Sequence, residues 1–398
     1  MAHVFRAQWV LPIAAPPIRD GWVAVEGGRI AAVGDGSPPG NSVSELADAA
    51  ILPGLVNAHV HLELSWMAGK VPPAESMPEW AGQLIACRRA VTVDPPSPMV
   101  TAIRDVRASG TCLVGDVTNT LAAYDLLVES DLWAAVFHEL LGFSAADPAR
   151  IIADAHAQIS ARKRDARIRT SLVPHATYSV SPSLLRAIGA ASTGPLSVHV
   201  AESVEELQFL TDGTGTWRDL LSGLNVWNDA WRSPDCSPVE YLAKLGLVSD
   251  RLLAVHCVQA TEDDLRLLAA ANATVVTCPR SNQWTGAGTP PVGAFYESGV
   301  RVAIGTDSLA SVEDLQMFKE VAAVRTLAPG VPARRLLESL TRVGAEALGF
   351  GDELGTIEPE KRAELIAVAV PPDIADVEEY LVSGRLRPDD IRWLEKDC

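Results

Sequence analysis

The chain has 398 residues, of which 48% are hydrophobic and 21% charged, enough for one large and one smaller domain with a sizeable core. A formal charge of −17 argues against nucleic acid or an anionic membrane surface as a partner. No run reaches the ~20 apolar residues of a membrane span. The first eleven residues, with Arg6 and Gln8, form no signal-type apolar stretch, and six cysteines without a Cys-x-x-Cys pair read as reduced, mostly buried thiols of a cytoplasmic protein.

Residues 1–50 read as short strands separated by turns at Asp20-Gly21, Gly27-Gly28 and Gly34-Asp35-Gly36. Eight hydrophobic strand-like runs follow, at 51–58, 111–115, 132–137, 168–174, 196–198, 252–255, 273–277 and 300–306. Amphipathic helical stretches separate them, at 79–91, 121–129, 147–164, 181–191 and 262–271. Such alternation implies a parallel sheet, either a (β/α)8 TIM barrel or a doubly wound open sheet. The count of eight favours the α/β barrel, as do the polar residues at the C-terminal end of nearly every run, where barrel active sites are built. After about Gly355 the chain again reads as short strands. Neither flank alone makes a stable sheet. The expectation is therefore a small β-sandwich domain from 1–52 and 355–398 beside a catalytic barrel at 53–354. The stretch 211–238, with Trp217, Trp227 and Trp231, is longer than most barrel loops. It reads either as a lid or substrate wall, or as a packed excursion or oligomer contact.

Four of the hydrophobic runs end in metal-binding side chains: His59-Val60-His61, His199, His256 and Asp307. In an extended segment, residues two apart point to the same side, so His59 and His61 can meet one ion. Histidines plus a carboxylate at strand ends would hold a divalent metal and lower the pKa of a bound water toward ~7. Zn2+ suits such a set, with Fe2+ or Mn2+ as other occupants. Glu202 stands three residues after His199, where the chain turns toward a helix, and can act as a general acid and base beside the metal. His256 reads as a further ligand or as a hydrogen-bond donor to the attacking water. Asp307 can bind metal and also share the water's proton. His138 and His175 also end strand-like runs and can face a substrate.

Four segments together resemble the signatures of the amidohydrolase superfamily, in its aminohydrolase branch: Pro53-Gly-Leu-Val-Asn-Ala-His-Val-His61, Val198-His-Val-Ala-Glu-Ser203, Val255-His-Cys257 and Gly305-Thr-Asp-Ser308. Gly355-Thr-Ile-Glu-Pro-Glu-Lys-Arg-Ala-Glu-Leu365 resembles that family's return into its small β domain, with Glu364 where an Asp is usual. The resemblance covers essentially the whole chain. It implies that His59, His61, His199 and Asp307 hold one zinc, that His256 orients the attacking water and that Glu202 is the general acid/base. Pro174-His175 stands where two-metal relatives carry a bridging Lys, which implies a single metal.

Within the branch, His61-Leu-Glu-Leu-Ser65, Pro174-His-Ala-Thr-Tyr-Ser179 and Cys278-Pro-Arg-Ser-Asn282 resemble the aminodeoxyfutalosine deaminases of menaquinone biosynthesis. Their substrate joins an adenine through ribose to a benzoate. The candidate substrate contacts are Glu63, Trp66, His175, Tyr178, Arg280 and Asn282. Arg280 can pair with a carboxylate, and Trp66 and Tyr178 can wall flat rings. The rival readings are deamination of adenosine, S-adenosylhomocysteine, guanine or cytosine, triazine hydrolysis, and a non-catalytic barrel scaffold. The expected partner is a small-molecule substrate, with a homodimer as the form of any self-association.

Overall fold

In the computed structural model the described residues are 2–38, 42–91 and 95–394. The chain opens with five strands, β1 (His3–Val10), β2 (Ile18–Arg19), β3 (Trp22–Glu26), β4 (Arg29–Gly34) and β5 (Val43–Pro53). Eight more alternate with helices: β6 (Leu55–Val60), β7 (Thr111–Thr118), β8 (Trp133–Leu140), β9 (Ile168–Pro174), β10 (Leu196–Val200), β11 (Leu252–His256), β12 (Thr274–Thr277) and β13 (Arg301–Ile304). The last two, β14 (Leu365–Ala369) and β15 (Ile391–Trp393), return to the first group.

Both chain ends meet in one continuous sheet of order β15-β14-β5-β1-β3-β4, with β2 paired to β1. Only the β1–β5 pairing in it is parallel. Phe5, Val23, Ile30, Ile51, Leu365 and Leu394 form a core on one face. Leu52, Ile366 and Val368 join the main core of the larger body. Glu364, the departure noted above, ties the two together: its carboxylate accepts from Trp133 Nε1 at 3.1 Å and pairs with Arg107 at 3.0 Å. From the C-terminal segment, helix Val377–Val382 packs on the barrel-side helices Met317–Leu327 and Ala333–Ser339, and Glu379 pairs with Arg325 at 2.6 Å.

The run 51–58 proves to be two strands. Residues up to Pro53 belong to β5, where Leu52 opposes Ile366. β6 begins at Leu55 and pairs with β7. Both strands are buried on both faces, so an unbroken apolar run hides the joint. Gly54 marks it: a Cβ there would sit 2.7 Å from Cys112 Cβ.

β6 to β13 form two four-stranded parallel sheets, β6-β7-β8-β9 and β10-β11-β12-β13. They touch at two seams, both at the strand ends that carry the predicted ligands. At one, the His199 N–H donates to the His175 carbonyl at 3.0 Å. At the other, the N–H groups of Thr306 and Asp307 donate to the His59 carbonyl at 3.1 and 3.0 Å. The Asn57 side chain stitches the second seam, giving 2.7 Å to the Thr306 hydroxyl and taking 3.1 Å from its N–H. Gly305 permits the approach, since a Cβ there would lie 2.8 Å from His59 Cβ.

The tryptophan-rich stretch carries helix Thr216–Gly223 and a loop to helix Pro238–Lys244. Trp231 stacks on Phe209 at 4.6 Å, and Trp227 stacks on Phe143 at 5.5 Å. Both of these indoles are packing groups. Of the cysteines, Cys112, Cys257 and Cys278 are buried and Cys87 and Cys236 half-buried, all free, and Cys398 lies outside the described residues.

Candidate active site

The strand ends bring the predicted histidines and aspartate into one cage. His59, His199 and His256 offer nitrogens within 4.8 Å of one another, as do the ligand atoms of His59, His61 and Asp307. Asp307 Oδ1 lies 3.6 Å from His61 Nε2 and 3.9 Å from His59 Nε2. Its other oxygen accepts from the hydroxyls of Ser281 at 2.6 Å and Ser311 at 3.2 Å. His199 donates Nδ1–H to the His175 carbonyl at 2.9 Å. That fixes its tautomer and leaves Nε2 as the lone-pair nitrogen. His59 is fully buried, yet neither ring nitrogen has a hydrogen-bond partner. A buried orphan of this kind calls for a partner, and a cation fits this donor set of imidazoles and carboxylate.

Electrostatics agree with a ligand role. Burial, then the neighbouring histidines, holds His59 well below its ordinary pKa. Burial and His175 bring His199 down to about 3, and burial and His61 do the same to His175. The rings are therefore neutral and able to give a lone pair. Burial works against the Asp307 carboxylate, but His61, His256 and the Ser281 hydroxyl keep its pKa below the usual range.

The chain is bent sharply at these positions. Ala201, His256, Cys257 and Asp307 all lie at positive φ, +51°, +73°, +49° and +62°. For side-chain-bearing residues this conformation costs about 1–3 kcal/mol each and is typical of functional sites. The bend at Ala201 comes directly before Glu202, which sits buried beside the cage with Oε1 3.5 Å from His256 Nε2. Oε2 has no partner. Burial, helped by Asp307, pushes the Glu202 carboxyl well above the ordinary range. Its own N–H donates to Glu206 at 2.8 Å. His256 Nδ1 meets Asn282 Oδ1 at 2.8 Å, so Nε2 is the nitrogen turned to Glu202.

The cage lies in a cavity of about 640 Å³ that also takes in Glu202, His175, Tyr178 and Glu63. Trp217, from the inserted helix, stacks on Tyr178 at 3.8 Å and lines the same space, so this part of 211–238 is a wall. Three expected substrate contacts fall elsewhere. Trp66 is in the hydrophobic core, under Lys70, and Trp80 lines the cavity in its place. Arg280 is tied to Asp314 at 3.2 Å and to the buried Glu320 at 3.4 Å, outside the cavity lining. Asn282 is fully buried behind His256. His138 lies under the cavity, its Nδ1 against the Thr118 carbonyl at 3.3 Å. Sequence reasoning missed Arg88, Trp80 and Ser281. Only Ser281 had a signal, since it lies inside the segment 278–282.

A sequence profile of the amidohydrolase family matches residues 50–387. The chain belongs to the amidohydrolase family. Its similarity extends to the aminodeoxyfutalosine deaminase of Deinococcus radiodurans, 34% identical over 78% of this chain and 76% of that one. The 5-methylthioadenosine/S-adenosylhomocysteine deaminase of Moorella thermoacetica is 31% identical over 94% of this chain and 88% of its own. Among solved structures, a zinc-bound adenosine deaminase from Xanthomonas campestris superposes with a TM-score of 0.81 at 28% identity, covering 98% and 90% of the two chains. Helicobacter pylori aminofutalosine deaminase with methylthio-coformycin gives 0.84 at 25% identity, covering 96% and 95%. This amidohydrolase is thus an enzyme with deaminases for relatives. No helix among its described residues is long and apolar enough to cross a membrane.

Proposed function

We propose that the protein is a metal-dependent hydrolytic deaminase acting on the 6-amino group of an adenine nucleoside, aminodeoxyfutalosine first among them. The observation that carries this reading is the buried Glu202 carboxyl, unpartnered at Oε2 and 3.5 Å from His256 Nε2, beside a cage of neutral imidazoles. His59, His61, His199 and Asp307 are the residues that would hold one zinc ion. A divalent ion bound there supplies the Lewis acidity that makes water a nucleophile near neutral pH.

The chain's own residues do the rest. Glu202, protonated because it is buried, gives its proton to adenine N1, which makes C6 electrophilic. His256 is held by Asn282 with Nε2 toward the cavity and orients the water that adds at C6. Glu202 then carries the water's proton to the departing amine. Water replaces the amino group, so the products are an inosine-type base and ammonia. Tyr178 and Trp217 offer flat faces to the ring system. The two four-stranded sheets act in this reading as halves of one (β/α)8 barrel. The reading also includes a cytoplasmic location and a free small molecule as the partner.

A second substrate, 5′-methylthioadenosine or S-adenosylhomocysteine, is favoured by the Moorella relative, whose match spans more of the chain. Ammonia release from aminodeoxyfutalosine, adenosine, 5′-methylthioadenosine, S-adenosylhomocysteine, guanine, cytosine and a chlorotriazine decides between them. Inert aminodeoxyfutalosine beside good turnover of another amine refutes the first choice.

A further inference from the structure

Helix Met77–Arg89 and helix Thr216–Gly223 pack together above the cage and share the lining of the cavity. Their contribution is apolar, with Trp80, Leu84, Trp217 and Leu221, except near the end of the first helix, where Arg88 lines the space. Among the described residues of the lining, Arg88 is the one permanent cation, set against the carboxyl groups of Glu63, Glu139, Glu202 and Asp307. Its guanidinium lies 3.2 Å from Glu63, and its side chain is 31% exposed while that of Glu63 is 1% exposed.

Glu63 is held without help from Arg88. The hydroxyls of Thr118 and Thr120 donate to Oε2 at 2.6 Å each. The N–H of Thr120 donates to the same oxygen at 3.1 Å, and the N–H of Asn119 to Oε1 at 3.0 Å. Burial alone would raise its pKa, but Arg88 and these donors keep it below the ordinary range. Glu63 is thus a fixed anion that anchors Arg88 by one edge, while the exposed part of the guanidinium borders the cavity. A planar guanidinium suits a second carboxylate, which it can grip with two parallel N–H groups.

We infer that Arg88 receives a monoanionic carboxylate on the part of the substrate beyond the ribose, reached along the apolar sleeve from the cage. This rests on the adenine-nucleoside reading above. With four carboxyl groups in the lining and one guanidinium, a phosphate dianion is disfavoured, so the site selects an acid over a nucleotide. Arg88, not Arg280, is then the specificity-determining cation.

The test compares kcat/KM for aminodeoxyfutalosine and its carboxyl methyl ester, with AMP as a third arm, in wild type, Arg88→Gln, Arg88→Lys and the double variant Glu63→Gln/Arg88→Gln. The wild type is expected to prefer the acid over the ester by about 10–100-fold, the worth of a charge-assisted pair. That preference should collapse toward unity in Arg88→Gln and in the double variant, which leaves no buried charge unpaired, and survive in part in Arg88→Lys. AMP should be the poorest substrate. An acid-to-ester ratio that Arg88→Gln leaves unchanged, or a wild type that takes AMP as readily as the acid, overturns the inference. Should no adenine nucleoside be turned over, the proposed function fails separately. Calorimetric binding of 3-methoxybenzoate against 3-methoxybenzamide, to wild type and Arg88→Gln, then still decides for or against Arg88 by whether the acid's advantage depends on it.

Discussion

Glu202→Gln separates the chemistry from the scaffold. The amide is close to isosteric and keeps a polar group near His256 Nε2, but it cannot hold and return a proton. A positioned acid–base group is worth about 10²–10⁴ in rate, or about 3–5 kcal/mol in the barrier. Turnover should fall by that factor with zinc content unchanged. The same substitution should stabilise the metal-free fold. Burial raises the Glu202 pKa well above its ordinary value, so at pH values between the unfolded and folded pKa the folded protein holds a proton that the unfolded chain has released. Stability is therefore lost as pH rises through that interval, and Gln at this position escapes the loss. Thermal unfolding of the chelator-treated proteins should show the variant above the wild type at pH 8 and level with it at pH 4. A variant within tenfold of wild-type turnover refutes the acid–base role. Equal unfolding temperatures at pH 8 refute the electrostatic account of the site.

Glu206, raised to about 7 by burial, should lower wild-type stability by about 3 kcal/mol between pH 4.5 and 7 relative to Glu206→Gln, measured by denaturant unfolding. Asn282→Ala removes the 2.8 Å bond to His256 Nδ1. Steady-state kinetics should show a 10–100-fold loss, with about 1–3 kcal/mol of stability lost through the stranded ring N–H. Chelation should abolish activity and lower the unfolding temperature, and zinc should restore both at one equivalent per chain by elemental analysis. Full activity in metal-free protein would sink the ligand assignment of His59, His61, His199 and Asp307.

The cage was legible in the sequence because its signal is local. A short apolar strand that stops at a His or Asp delivers that side chain to the sheet's rim, whatever the rest of the fold does. Eight such strands were countable for the same reason. The joint at Gly54 was not, since β5 and β6 are both buried on both faces and differ only in which strands they pair with. Substrate contacts depended on tertiary placement. Arg280 and Arg88 both sit on helices near polar segments, but the first is drawn behind the strands by Asp314 and Glu320, while the second lies on a helix that crosses the cavity. Trp66 and Trp80, fourteen residues apart in sequence, differ likewise: a 3-10 turn buries one under Lys70 and a helix exposes the other to the cavity.

The short helix Pro279–Trp284 holds two working groups at once, Asp307 through Ser281 and His256 through Asn282. Glu320 fixes its start by accepting the Arg280 N–H at 3.1 Å. The aromatic and apolar mouth comes from quite different parts of the chain, helices Met77–Arg89 and Thr216–Gly223. The reacting end is thus clamped by one six-residue bracket, while the recognition end hangs from two independent struts. Selection acting on the struts can change which molecule enters without touching how it is cut. A designer who wants a new substrate should leave the bracket alone and rebuild the struts.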